Sequence, residues 1–128
     1  MSREEYHSYI ETRIHRAEEA LAFAKTCFEL GNYNMTINRL YYSLFYATQA
    51  LLAKHESYPK THSGAKSELG LFYVKTGLLT SEEGKLYSQL LDMRQVSDYG
   101  DLTAFEKDDT DTLIPKVSEL LEKMKGLI

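Results

Sequence analysis

Apolar residues recur at helical spacing along almost the whole chain. Ile10, Ile14, Ala17, Leu21, Ala24 and Phe28 fall four or three positions apart and draw one stripe along a first helix. Gly31-Asn32 ends it, since glycine accepts the left-handed cap conformation. A second helix is predicted from about Tyr33 to His55. Its stripe is Ile37, Tyr41, Leu44, Thr48 and Leu51, widened by Phe45 and Leu52, and Pro59 stops it. A third, shorter helix is predicted from about His62 to Lys75, with Leu69 and Phe72 on its apolar side and Thr76-Gly77 closing it. Thr80-Ser81-Glu82-Glu83 has the form of a capping box, and it opens a fourth helix carrying Leu86, Leu90, Met93 and Ser97. That helix is expected to end near Tyr99-Gly100, with residues 101–111 as a polar connector. A last helix holds Ile114, Val117, Leu121, Met124 and Ile128. Pro115 either begins its regular part or kinks it.

Helices joined by short turns imply an all-α, up-and-down bundle of about five helices. The length, 128 residues, suits a single domain over 1–128 with a real core. The composition agrees: ten tyrosines, no tryptophan and two prolines favour helix over sheet. Tyrosine suits interfaces, so the tyrosine-rich second and fourth helices lead us to expect a homodimer. Cys27 rules out an intramolecular disulfide, and its place near a helix end marks it as a packing residue rather than a thiolate. No apolar run approaches the roughly 20 residues that span a bilayer, and no leader-like segment opens the chain. No membrane association is therefore expected, and the expected location is the cytoplasm.

The net charge of −4 argues against broad coating of nucleic acid. It is uneven: residues 33–76 carry five basic side chains against Glu56 and Glu68, a local net of +3. A basic middle suits a local anion, and ordinary scatter explains it equally well.

Candidate chemistry is sparse. Glu4 and His7 make one Glu-x-x-His, but a di-iron bundle needs two such motifs and two further carboxylates. No metal and no cofactor are expected. No glycine-rich phosphate loop is present. What remains is a pair of arginines on otherwise core-forming helices: Arg39 in Asn38-Arg39-Leu40-Tyr41-Tyr42, and Arg94 in Arg94-Gln95-Val96-Ser97-Asp98-Tyr99-Gly100-Asp101. A guanidinium is always charged and is rarely buried without a partner. Arg94 and Asp98 are four apart and share a helix face. If the second and fourth helices pack together, Arg39 and Arg94 approach each other. They then need an acid or a bound anion between them, with tyrosine hydroxyls completing the hydrogen bonds. Two readings follow. One is a satisfied network that fixes helix register; the other is an anion or nucleotide pocket lined by Asn38, Arg39, Tyr42, Arg94, Asp98 and Tyr99.

These segments, together with Pro59-Lys60-Thr61-His62-Ser63-Gly64 and Tyr73-Val74-Lys75-Thr76-Gly77-Leu78-Leu79, stand in an order and spacing that resemble the small standalone HEPN-domain proteins of bacteria and archaea. The resemblance runs from about Tyr9 to the last helix. It implies a helical bundle that commonly dimerises, often paired with a minimal nucleotidyltransferase in a toxin–antitoxin-like arrangement. Several HEPN families are metal-independent ribonucleases whose site is an arginine followed, after a gap of four to six residues, by a histidine. Arg94 stands where that arginine belongs, and no histidine follows it. Proton transfer near neutral pH usually needs histidine, and tyrosine titrates too high, at about 10, to replace it. The expectation is therefore a non-catalytic or weakly catalytic module that holds a nucleotide or an RNA phosphate. The alternatives are a metal-independent ribonuclease toxin using Arg94 with Asp98, Tyr99 or His62, and a purely structural scaffold.

Overall fold

The computed structural model describes residues 1–98 and 104–128. Among them there is no strand. Helix α1 spans Arg3–Glu29, and a reciprocal capping box starts it: Ser2 Oγ accepts from the Glu5 N–H at 3.1 Å, and Glu5 Oε1 accepts from the Ser2 N–H at 3.2 Å. Gly31, at φ +78°, turns the chain, and Asn32 caps α2 (Tyr33–Ala53) by accepting from the Met35 N–H. The α2 helix closes at Ala53, earlier than the His55 expected from the pattern. The backbone turns through Glu56 at φ +56°, ahead of Pro59.

The third element departs most from the expected single helix. Helix α3 covers His62–Leu69, capped by Thr61, and then widens into one π-helical turn over Gly70–Val74. There the Lys75 N–H bonds to the Gly70 carbonyl at 2.8 Å, five residues back. The wider turn shifts which side chains face inward. Tyr73, not Phe72, enters the core, and its hydroxyl donates to the Leu51 carbonyl at 2.8 Å. Phe72 is half-buried and stacks on His55, with ring centres 4.4 Å apart.

Helix α4 spans Ser81–Asp98 and opens on the Thr80/Glu83 capping box expected from the sequence. Its inward stripe is centred one position from the expected one: Tyr87, Leu90 and Leu91 are buried, while Leu86, Met93 and Ser97 are only partly so. A single turn, α5 (Lys107–Thr110), interrupts the expected connector. The last helix, α6 (Leu113–Gly126), takes Pro115 in its first turn, where a missing N–H breaks no intrahelical bond.

Helix α2 is the centre of the bundle and packs against α1, α3, α4, α5 and α6. Ser43 donates to the Ala17 carbonyl at 2.8 Å, Asn38 meets Asp98, and Lys54 Nζ reaches the Leu127 carbonyl at 2.6 Å. These contacts run α1 and α4 opposite to α2, and α6 along it, which is the up-and-down arrangement. Ile37, Leu40, Tyr41, Leu44 and Leu51 are fully buried along α2. A side chain of this size stabilises by about 1.5–3 kcal/mol when taken from water.

Candidate functional site

The α2–α4 contact brings the two arginine motifs together. Arg94 Nη1 donates to Asp98 Oδ2 at 2.9 Å. The other oxygen, Asp98 Oδ1, accepts from Asn38 Nδ2 at 3.1 Å. Asn38 Oδ1 in turn accepts from Arg39 Nε at 3.0 Å and Nη2 at 2.9 Å. One carboxylate and one amide therefore link the two guanidiniums, through a bond between side chains 60 positions apart in sequence. Tyr42 lies between them: its ring centre is 5.1 Å from Arg39 Cζ and 5.8 Å from Arg94 Cζ. Cations over a tyrosine face are attracted by the ring quadrupole.

Among the described residues, two guanidiniums share a single carboxylate, and Arg39 has no ion pair. The Arg94 side chain is 14 % exposed and Asp98 is 40 % exposed. Arg94 Nε is buried without a hydrogen-bond partner among the described residues. Within the described residues, this surplus charge and this idle donor are more than a register device alone needs.

His62, on the first turn of α3, joins the site from a third helix. Its Nδ1 lies 2.6 Å from the Tyr41 hydroxyl, which lies 3.3 Å from the Tyr87 hydroxyl. Phe45 flanks the imidazole, ring centres 4.6 Å apart. Burial first, and the Arg94 charge second, hold the His62 pKa below its usual value, so the neutral ring is favoured. Burial pushes Tyr41 upward and Tyr87 up to about 12, so both stay protonated at neutral pH. Either the Tyr41 hydroxyl donates to Nδ1 or a protonated Nδ1 donates to the hydroxyl; both tautomers keep the contact.

The structure thus gathers Asn38, Arg39, Tyr42, Arg94, Asp98 and His62 on one face. Tyr99 lies outside the described residues. Sequence reasoning missed the Tyr41–Tyr87 hydroxyl pair. Both residues stand at helical core spacing, and no local signal tells a core tyrosine with a bonded hydroxyl from one without. His7 packs edge-on to Tyr6, and no group of three or more metal-ligating side chains occurs among the described residues. Cys27 is buried, and burial pushes its thiol pKa up, which is the state of a packing residue.

The HEPN domain profile matches residues 10–127. The chain belongs to the HEPN domain family. Its relatives include a "UPF0332 protein" of Thermotoga maritima, 38 % identical over 114 residues, covering 88 % of this chain and 86 % of that one. Two proteins of Methanocaldococcus jannaschii are also similar. "Putative toxin MJ0142" is 30 % identical, and the match covers 94 % of this chain and 82 % of that protein. "Putative toxin MJ0605" is 33 % identical over 70 % of this chain and 67 % of its own. The HEPN match coincides with the span of the resemblance carried by the motifs, and the family's all-α fold agrees with the bundle described above.

Proposed function

We propose that this HEPN protein is the toxin-like member of a two-component system. In this reading it holds a phosphate of a nucleotide or RNA between Arg39 and Arg94, assembles as a homodimer, and works with a nucleotidyltransferase partner in the cytoplasm. The observation that carries the phosphate reading is the surplus charge at the α2–α4 contact: two guanidiniums on one tyrosine ring, with Asp98 as their one bonded carboxylate among the described residues. An incoming phosphate would meet donors already oriented, and charge-assisted bonds to an anion are the strong ones. The toxin wording in the names of two relatives supports the same direction. Among the described residues no helix is long and apolar enough to cross a membrane.

A second reading, a metal-independent ribonuclease, is favoured by one observation. His62 and Arg94 pack on the same two rings, Tyr41 and Tyr42, although no histidine follows Arg94 in sequence. Thermal-shift titration with nucleotides, run beside an RNA-cleavage assay in chelator, separates the two. Binding without cleavage, lost in Arg39→Ala and Arg94→Ala, supports the binding module. Cleavage that disappears in His62→Ala supports the ribonuclease. Binding that persists unchanged in both arginine variants sinks the phosphate site. Co-purification with a nucleotidyltransferase encoded beside this chain tests the partner.

A further inference from the structure

The contact between His62 and Tyr41 can run in two senses, and the buried groups beyond it decide between them. Tyr41 and Tyr87 are fully buried, so the protein itself must supply the partners of both hydroxyls. The Tyr41 oxygen lies 2.6 Å from His62 Nδ1 and 3.3 Å from the Tyr87 oxygen. Thr48 Oγ1 lies near Tyr87 too, but it is buried without a hydrogen-bond partner among the described residues. Tyr41 is therefore the one group bonded to the Tyr87 hydroxyl among the described residues.

Suppose first that Nδ1 carries the ring proton. Nδ1–H donates to Tyr41, Tyr41 donates to Tyr87, and the Tyr87 hydrogen is left in the core with no acceptor. A buried donor without a partner bears its full desolvation cost. In the other sense Tyr87 donates to Tyr41, and Tyr41 donates to Nδ1. Both buried hydrogens are then bonded, and the chain ends on the lone pair of a ring nitrogen. The neutral ring has its proton on Nε2, because the bond at one ring nitrogen sets the state of the other. His62 is half-buried, and its one hydrogen bond among the described residues is at Nδ1, so Nε2–H remains as a donor.

The surroundings of the ring say what this donor serves. From α2 the imidazole meets Tyr41, Tyr42 and Phe45, and the charges that reach it are Arg94 and Asp98, both on α4. The His62 ring centre is 5.4 Å from that of Tyr41 and 5.9 Å from that of Tyr42. Arg94 Cζ is 5.4 Å and 5.8 Å from the same two centres.

We propose that Tyr41 is a positioning residue for His62: its hydroxyl, held in turn by Tyr87, fixes the neutral imidazole with its proton on Nε2, and His62 thereby gives an anion at Arg94 a donor from a third helix. The use of that donor rests on the phosphate reading of Arg39 and Arg94, whereas the tautomer does not. An anion there also offsets the Arg94 charge, which disfavours the imidazolium. Anion binding should therefore raise the His62 pKa, and by linkage the anion should bind more tightly as pH falls.

The test is nitrogen NMR of the imidazole in isotope-labelled protein, read against pH, first without ligand and then with sulfate, a divalent anion that stays fully ionised across the range. In the parent, Nε2 should give the resonance of a protonated ring nitrogen, and Nδ1 that of an acceptor displaced by a short hydrogen bond. Tyr41→Phe keeps the ring and removes the hydroxyl, so the Nδ1 displacement should vanish. Tyr87→Phe leaves the Tyr41 hydroxyl in place and should keep the parent's pattern. A role in packing alone predicts the parent's pattern in both variants. Circular dichroism melts check that each variant is folded, and the parent's own tautomer decides if Tyr41→Phe is not. The proposal is overturned if neutral His62 in the parent carries its proton on Nδ1, or if folded Tyr41→Phe keeps the parent's Nδ1 resonance. Sulfate should raise the His62 pKa in the parent and leave it unmoved in Arg94→Gln. If sulfate shifts the Arg39 and Arg94 guanidinium resonances but not His62, the ring is no donor to the anion and that half of the proposal is overturned. If sulfate moves none of the three, the phosphate reading falls and takes the donor with it, a result distinct from failure of the tautomer.

Discussion

At the residue scale, exposure decides what the arginines contribute to stability. Removing the partner of a fully buried charge costs about 3–5 kcal/mol. Asp98 is 40 % exposed, so water solvates it when Arg94 is gone. Arg94→Ala is therefore expected to cost nearer ~1 kcal/mol, from a partly screened pair and lost contact of the stem with Tyr41, read by urea denaturation. Arg39→Ala and Arg94→Ala should not be additive, because Asn38 and Asp98 bridge them. A double-mutant cycle should give a coupling of about 0.5 kcal/mol or more, and strict additivity would break the single-site description. His62 gives a pH signature. Its pKa is lowered in the folded state from 6.5, so the unfolded chain binds the extra proton first. Its contribution is complete above about pH 6.5 and drains as pH falls below that. Comparing denaturation of the parent and His62→Gln across this range should show a shallower acid slope in the variant.

At the element scale, the π-helical turn is what the hydrophobic period could not foresee. A 3.6-residue repeat through Leu69 places Phe72 and Tyr73 on adjacent faces, and either can be the core residue. The Tyr73 hydroxyl settles the choice: it donates to the Leu51 carbonyl, beside the bond that carbonyl accepts from the Lys54 N–H, so the buried hydroxyl is paired. Two glycines nearby behave differently. Gly70 sits at φ −59°, ψ −48°, and a Cβ added there would have no neighbouring atom within 4 Å. Gly70→Ala should stabilise by roughly 0.5–1 kcal/mol through the unfolded chain's lost freedom. On α4 a Cβ at Gly84 would meet Val74 Cγ2 at 3.0 Å, which forces the side chain to move. Gly84→Ala should gain less than Gly70→Ala, and thermal melts of the two variants measure the difference. A larger gain at Gly84 would show that the contact between α4 and the π-turn yields freely.

At the scale of the whole molecule, two of the α2 and α4 tyrosines that suggested surplus aromatic surface, Tyr41 and Tyr87, are consumed inside the fold, as is Tyr73 beyond α3. Tyr41, Tyr73 and Tyr87 are 0–2 % exposed. Their burial removes part of the composition argument for a dimer, and the dimer now rests on the family resemblance together with the half-buried Tyr42 and Tyr46. Light scattering is expected to give twice the chain mass of 14.7 kDa. A monomer mass across a wide concentration range would end the homodimer proposal.

Helices α1, α2, α4 and α6, the Thr80 capping box, the Gly31 turn and the family were legible in the sequence, because period, capping boxes and glycine turns are local signals; the π-turn after α3 and the single turn α5 were not. The sequence also paired Arg94 with Asp98, since positions four apart on one helix must be neighbours. Tertiary structure decided everything that depends on which faces meet. The one-position offset of the α4 stripe turned Tyr87 into the core and set Arg94 against Tyr41 and Tyr42. The Asn38–Asp98 bond, the arrival of His62 from α3, and the Tyr41–Tyr87 hydroxyl contact each join residues on different helices. No spacing along the chain encodes such a contact, because it is fixed by how the helices rotate against one another to bury their largest side chains.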